Sequence, residues 1–148
     1  MISPEVLRRY PYFAAVSEES LKAVAMIADE KTVPAGTQMF SEGDPANALN
    51  IILRGEVHIQ YILGSGERRT VDTLVDGDIL GWSAIVEPYK YTAVGTASKE
   101  TQLVSIRGKE LRDLCDKDAM MGYQLARQIA KLLAHRLEGA RIQLAAID

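Results

Sequence analysis

The chain has 148 residues, 47% hydrophobic and 25% charged, with a formal net charge of −3. That length closes one core, alone or with a long helix attached, and the acidic balance argues against a nucleic-acid surface, which carries a basic patch. No run of about 18 apolar residues is present to cross a membrane, and MISPEVLRRYPYF lacks the apolar centre of a secretory signal. The single cysteine, Cys115, excludes an internal disulfide, so the expected setting is a reducing cytoplasm.

Ser3-Pro4 reads as an N-cap followed by proline in the first helical turn, opening a helix through Tyr10 that Pro11 stops. Ser17 caps a second helix, with Glu18 and Glu19 placed favourably against its dipole. Leu21, Val24, Ala25 and Ala28 follow at i, i+3, i+4 and i+7 as its buried stripe, and Asp29-Glu30-Lys31 ends it. Residues 1–31 are therefore expected to form N-terminal helices.

From Thr32 to Arg107 short β-branched and aromatic segments alternate with turn signals: PAG at 34–36, EGDP at 42–45, RGE at 54–56, GSGE at 64–67 and DGD at 76–78. Leu49, Ile51 and Leu53 share one strand face, as do Val57, Ile59 and Tyr61 in the next strand. Regular short strands with this punctuation predict a sandwich or barrel over 32–107. Gly36, Gly43, Gly55 and Gly66 read as turn glycines, and GSG at 64–66 as a hairpin turn.

Helical patterning returns over 108–148. Lys109 to Asp116 is one short helix, and Ala119 to Ile147 is one long one. In the long helix Ala126, Ala130, Leu133, Leu137, Ala140, Leu144 and Ile147 are spaced alternately by four and three, the a/d seam of a coiled coil. Leu125, Ile129 and Leu132 form a second stripe suited to packing on the β domain. A helix with two apolar stripes predicts a twofold homodimer through the first, the alternative being a buried helix in a monomer.

This order of helix, glycine-punctuated strands and long helix resembles the cyclic nucleotide-binding domain of the catabolite activator (Crp/Fnr-like) family. VPAGTQMFSEGDPANALNIILRGEVHIQ looks like that family's opening, and LVDGDILGWSAI like its lead-in to the phosphate-binding cassette. The resemblance implies a mainly β fold with flanking helices: a double-stranded β-helix, or jelly roll, of about eight strands in a single domain over 1–148. It further implies a regulatory ligand-binding role.

In the family a short helix inside the cassette points free N–H groups at the cyclic phosphate, which suits an anion. A glutamate holds the ribose, and an arginine nine residues further pairs with the phosphate. Laid on this chain, the family glycine is Gly81, followed by Ser83 and Ala84 in the turn. The glutamate position is Trp82, the arginine position Tyr91, and the preceding proline Lys90; Thr92 follows, and Ala93-Val94-Gly95-Thr96-Ala97 closes the pattern. Indole is donor only, and Tyr91 carries no positive charge, so both signature contacts are gone. Losing the charge-assisted one alone removes about 1.5–3 kcal/mol. Lys90, one residue from Tyr91, faces the other side of a regular strand. Arg136, on the long helix that closes the family pocket, is the other candidate for the lost positive charge; the alternative for it is a solvated or inter-subunit ion pair.

The remaining residues offer no catalytic constellation. His58 and His135 have no metal-ligand spacing, Asp76 and Asp78 flank Gly77 as turn residues, and Cys115 sits on the apolar side of a short helix. No metal and no cofactor is expected. The chain stops at Asp148, about where the family's hinge to a helix-turn-helix would lie, so no DNA contact of that type is expected. The leading expectation is a non-catalytic sensory module, not a conventional cAMP receptor, whose pocket is walled by Trp82, Tyr91 and Tyr89. It would take a small anionic or aromatic ligand and act on a partner protein. The alternatives are a true cyclic nucleotide receptor using Lys90 or Arg136, and a ligand-free dimeric scaffold with Trp82 and Tyr91 filling the cavity.

Overall fold

The structure is a computed structural model that describes residues 1–147; Asp148, with which the expected domain ends, lies outside them. Pro4 opens helix α1 (Pro4–Arg8), although the Ser3 side chain makes no capping bond. The helix ends short of Tyr10, because the residue before a proline is disfavoured in the helical region and Pro11 follows. Helix α2 (Glu18–Met26) is capped by Ser17, whose hydroxyl accepts from the Ser20 N–H at 3.1 Å. Leu21, Val24 and Ala25 are buried on its inner face.

The sequence expectation fails at the next step. Ala28 is buried, but as the first residue of strand β1 (Ala28–Val33), and Asp29-Glu30-Lys31 is extended backbone rather than a helix end. Strand β1 pairs antiparallel with β8 (Thr101–Arg107) along its whole length, from Ala28 opposite Ile106 to Val33 opposite Thr101. That ladder overrides the helical spacing of Ala28, and charged residues suit an edge strand. The β region thus begins at residue 28, not 32.

The other strands are β2 (Gln38–Phe40), β3 (Ala48–Arg54), β4 (Glu56–Ile62), β5 (Arg68–Val75), β6 (Ile79–Leu80) and β7 (Val94–Ala97). They form two four-stranded antiparallel sheets, β1-β8-β3-β6 and β2-β7-β4-β5, the architecture of a jelly roll. In β3, Leu49 and Ile51 point into the main core, and Ile52 points the other way among Phe40, Val57, Leu74, Leu80 and Leu103. A central strand buries both faces, where alternation alone marks one.

The main core lies between the first sheet and the helices: Leu7, Phe13, Leu21 and Val24 meet Leu49, Ile51, Val104 and Ile106. Helix α3 (Gly108–Lys117) adds Leu111, and α4 (Ala119–Ala146) adds Met121, Leu125 and Ile129 from its first half, with Leu132 partly buried. The second half of α4 runs on beyond this core. Ala126, Ala130, Leu137, Ala140 and Leu144 are exposed, and Leu133 is half-buried. Ile147 is exposed and lies just past the helix in extended conformation, so the helix ends at Ala146, one residue short of the sequence boundary. Apart from Leu133, which packs against the main core, the proposed seam is exposed among the described residues.

Candidate ligand-binding site

Strand β6 hands the chain to Gly81, which adopts φ 86. A Cβ there would sit 2.7 Å from the Ala48 carbonyl oxygen, so both backbone conformation and space require glycine. The 3₁₀ turn Trp82–Ala84 follows, closed by Ala84 N–H donating to Gly81 O at 3.0 Å. The first N–H groups of such a turn have no partner within it. Gly81, Trp82 and Ser83 border a cavity of about 520 Å³ between the jelly roll and α4, with Tyr91 and Thr92 also on its lining and the Tyr91 hydroxyl close to Gly81.

The Tyr91 ring stacks on Phe40, with centroids 3.8 Å apart and planes 9° from parallel. Burial raises the Tyr91 phenol above its ordinary value, and the Asp44 carboxylate raises it further, so it stands there as a neutral hydroxyl. Ser83 is 4% exposed, and its hydroxyl makes no hydrogen bond within the described residues. Since no fully enclosed side-chain polar atom among them lacks a partner, that hydroxyl opens onto the cavity.

Ile59, Tyr61 and Val71 bring an apolar wall from β4 and β5, and Leu133 and Leu137 bring another from α4. The mouth is bordered by Ala140, Leu144 and Ile147, residues of the expected dimer seam. Arg136 supplies the cavity's cationic side chain. Its Nη2 donates to Ile79 O at 3.0 Å and its Nε lies 3.5 Å from Asp72 Oδ2, an ion pair within the chain rather than between subunits. The chemistry is a largely apolar, aromatic-walled space with the hydroxyl-bearing residues Tyr61, Ser83, Tyr91 and Thr92, a 3₁₀ turn and the Arg136–Asp72 ion pair on its lining.

Three sequence candidates fall outside that space. Lys90 is exposed and paired with Pro45 in an isolated bridge, one residue out of phase with Tyr91, and does not border the cavity. Ala84 is fully buried on the far side of the turn, its carbonyl accepting from Arg112 Nη1 at 2.6 Å. Tyr89, with φ 60, lies under the Arg112 guanidinium instead of walling the pocket. Phe40, Val71 and Asp72 enter the site without having been marked in the sequence. The face shared by Val57, Ile59 and Tyr61 was a usable signal for the β4 wall.

Elsewhere, His58 Nε2 lies 3.3 Å from Glu56 Oε1 on β4, and His135 is exposed on α4. Asp76 and Asp78 accept backbone N–H bonds from Gly55 and Val75 as turn residues. Cys115 is half-buried, and burial raises its thiol. Among the described residues no three His, Cys, Asp or Glu side chains cluster as a metal site requires, and no helix is long and apolar enough to cross a membrane.

Residues 30–118 match the cyclic nucleotide-binding domain family. The chain is 26% identical over 146 residues to a CRP-like cAMP-activated global transcriptional regulator of Mycobacterium tuberculosis; the match covers 95% of this chain but 61% of the relative. Among solved structures, a candidate cyclic nucleotide-binding protein from Geobacter metallireducens GS-15 is 36% identical with a TM-score of 0.83, over 93% of this chain and 99% of that one. The N-terminal domain of a transcriptional regulator from Streptomyces coelicolor A3(2) is 27% identical with a TM-score of 0.71, over 88% and 93%.

Proposed function

The chain belongs to the cyclic nucleotide-binding domain family, and from that premise we propose that it is a non-catalytic ligand-sensing module whose cassette has lost its sugar-phosphate grip. The observation that carries this reading is the cavity of about 520 Å³ with Trp82 and Tyr91 on its walls. An indole cannot accept from a ribose hydroxyl, and a neutral phenol cannot neutralise a phosphate. A flat aromatic ligand of low charge, stacked on the indole or the Phe40–Tyr91 pair, gains more from these walls than a cyclic nucleotide does. The open volume also favours a ligand over a scaffold with a filled barrel.

Output passes through α4. Leu133, Arg136 and Leu137 border the cavity, and the adjoining seam is exposed, so a homodimer through the seam would couple occupancy to the angle between two helices. A partner protein reading that angle, in the cytoplasm, completes the proposal. The M. tuberculosis relative, a transcriptional regulator, supports a regulatory role of this kind.

Isothermal titration with cAMP and cGMP tests the reading, with Trp82, the chain's single tryptophan, as an independent fluorescence reporter. Neither nucleotide is expected to bind at micromolar concentration; micromolar binding of either overturns the proposal. One observation favours the second reading, a true cyclic nucleotide receptor: the Arg136 guanidinium already borders the cavity. On that reading Arg136→Ala abolishes nucleotide binding and Lys90→Ala does not.

A further inference from the structure

A second cleft, of about 420 Å³, opens between the two sheets of the jelly roll, with β1, β3 and β8 on one side and β2 on the other. Phe40 and Tyr91 border both this cleft and the larger cavity.

Strand register fixes which side chains enter it. Asn50 on β3 is opposite Ser105 on β8, and Ile52 is opposite Leu103. Ile52 and Leu103 belong to the small core around Phe40, and so does Leu80, the partner of Asn50 on β6. Residues two apart on a strand share a face, so Asn50 and Ser105 both point into the sandwich. Ile51, Val104 and Ile106, on the opposite face, pack in the main core with the helices. Ser105 also touches the cleft beside α3, but Asn50 does not, and the opening common to the pair is the one between the sheets.

These two polar side chains stand in an otherwise apolar wall with little to bond to. Asn50 is 7% exposed and Ser105 6%. Asn50 Nδ2 donates to Ala48 O at a long 3.4 Å, the one hydrogen bond of that side chain among the described residues. The Ser105 hydroxyl makes none there, and the two do not bond each other although they are cross-strand partners. Since no fully enclosed side-chain polar atom among the described residues lacks a partner, Asn50 Oδ1 and the Ser105 hydroxyl reach the cleft. Holding them there costs desolvation that a bound polar group offsets.

The rest of the lining sets the chemistry of that group. Phe40 and Leu103 are buried and Val33 and Met39 half-buried, which makes an apolar bed. The charged residues Lys31 and Asp44 are exposed and opposite in sign. An ion pushed to the bottom of the cleft would meet neutral groups, which do not repay its lost hydration. Asn50 Oδ1 only accepts, so the ligand must donate to it, whereas the Ser105 hydroxyl gives or takes. A planar head with adjacent N–H and C=O satisfies both.

We propose that this cleft binds a small neutral molecule with an amide-type head on an aliphatic body. The head donates N–H to Asn50 Oδ1 and accepts from the Ser105 hydroxyl, and the body lies on Phe40, Leu103 and Met39. The site stands whatever ligand the larger cavity takes.

The test is NMR of the full isotope-labelled chain, reading backbone amides and the Asn50 side-chain NH2. The probes are 2-methylpropanamide, 2-methylpropanoate and 2-methylpropylamine, which share a body and differ in the charge of the head. Saturable movement of the Asn50 NH2 and the Ser105 amide is expected with the amide, at least tenfold tighter than with either ion. Ser105→Ala and Asn50→Leu are each expected to weaken amide binding about fivefold, and Lys31→Ala to leave it unchanged. If either buried variant fails to fold, the wild-type comparison of amide with carboxylate and ammonium decides. No saturable response to the amide, equal binding of either ion, movement confined to Trp82 and Ser83, or full affinity in a folded Asn50→Leu overturns the proposal.

Discussion

Arg112 holds the backbone of Ala84 and the ring of Tyr89 at the same time: Nη1 donates to the Ala84 carbonyl at 2.6 Å, and the guanidinium carbon lies 4.0 Å from the ring centroid. Tyr89 is the one non-glycine among the described residues with positive φ, so a side chain on α3 pins a strained residue to the end of the 3₁₀ turn. Gly108 tightens the same contact, since a Cβ there would come within 3.2 Å of the Ala84 Cβ.

Arg112→Ala removes a charge-assisted hydrogen bond and a cation–π contact, and is expected to destabilise the fold by about 2 kcal/mol in urea titration. Arg112→Lys should recover less than half of that, because a point charge cannot both stack on the ring and reach the carbonyl as a planar fork does. Wild-type stability in Arg112→Ala would show that the loop holds itself.

Gly81→Ala forces φ 86 on a residue with a Cβ and drives that carbon to 2.7 Å from the Ala48 backbone oxygen, which cannot swing aside as a flexible side chain would. The expected cost is about 2 kcal/mol or more by chemical denaturation. Gly43→Ala, where φ is 87 but no atom lies within 4 Å of the added carbon, isolates the conformational part and should cost less.

These two residues also mark what the sequence could show. Gly81 is legible because a turn glycine between apolar segments has one physical reading, and the order of such glycines carries the jelly roll. Arg112 is not legible: it is one of several charges on an amphipathic helix, and its partners are a carbonyl and a ring more than twenty positions upstream. Phe40 is hidden for a related reason, since β2 has three residues and a register shift against β7, too short for alternation to show its inner face. At Ala28 local pattern and long-range pairing disagree, and the β8 ladder wins. Lys90 and Tyr89 lie in an irregular loop, where strand phase does not settle which ring faces the cavity.

If Trp82 and Tyr91 are what deny a nucleotide, restoring an acid and a guanidinium should readmit it. Trp82→Glu combined with Tyr91→Arg is expected to raise cAMP affinity by about a hundredfold in calorimetry, each replaced contact being charge-assisted. Tyr91→Phe, which keeps the ring on Phe40 and removes only a neutral hydroxyl, should leave cAMP binding unchanged. A double variant that binds no better than wild type would place the obstacle elsewhere, with the Arg136–Asp72 pair the next to examine.

Asp118 links the helices to pH. One carboxylate oxygen accepts from Met121 N–H at 3.2 Å as the cap of α4, and the other accepts from the Ser20 hydroxyl on α2. The Ser20 bond first, and the Met121 N–H second, hold the carboxyl below its ordinary value of 3.8. A group whose folded value is depressed stabilises the fold above its unfolded value, and that contribution drains away as pH falls through the folded one. Between about pH 5 and pH 3 the denaturation midpoint of wild type should therefore fall more steeply than that of Asp118→Asn, which keeps an acceptor for Met121 but has no carboxyl to protonate. Parallel slopes would remove Asp118 as the source.

The second half of α4 carries the last prediction. Leu137 is 52% exposed and Leu144 70%, on the helix face that also holds Ala130 and Ala140, and a single surface helix seldom leaves such a stripe in water. The same Leu144 borders the cavity mouth, so a second copy packed on the stripe would narrow the opening. Leu144→Asp places an unpaired charge within that contact and is expected to raise the dimer dissociation constant about a hundredfold. Sedimentation velocity over a concentration series reads the change directly, and Glu138→Gln, on an exposed part of the same helix but outside the seam, should leave it alone. If the wild-type chain sediments as a monomer at all concentrations, the stripe belongs to another partner and the homodimer is wrong.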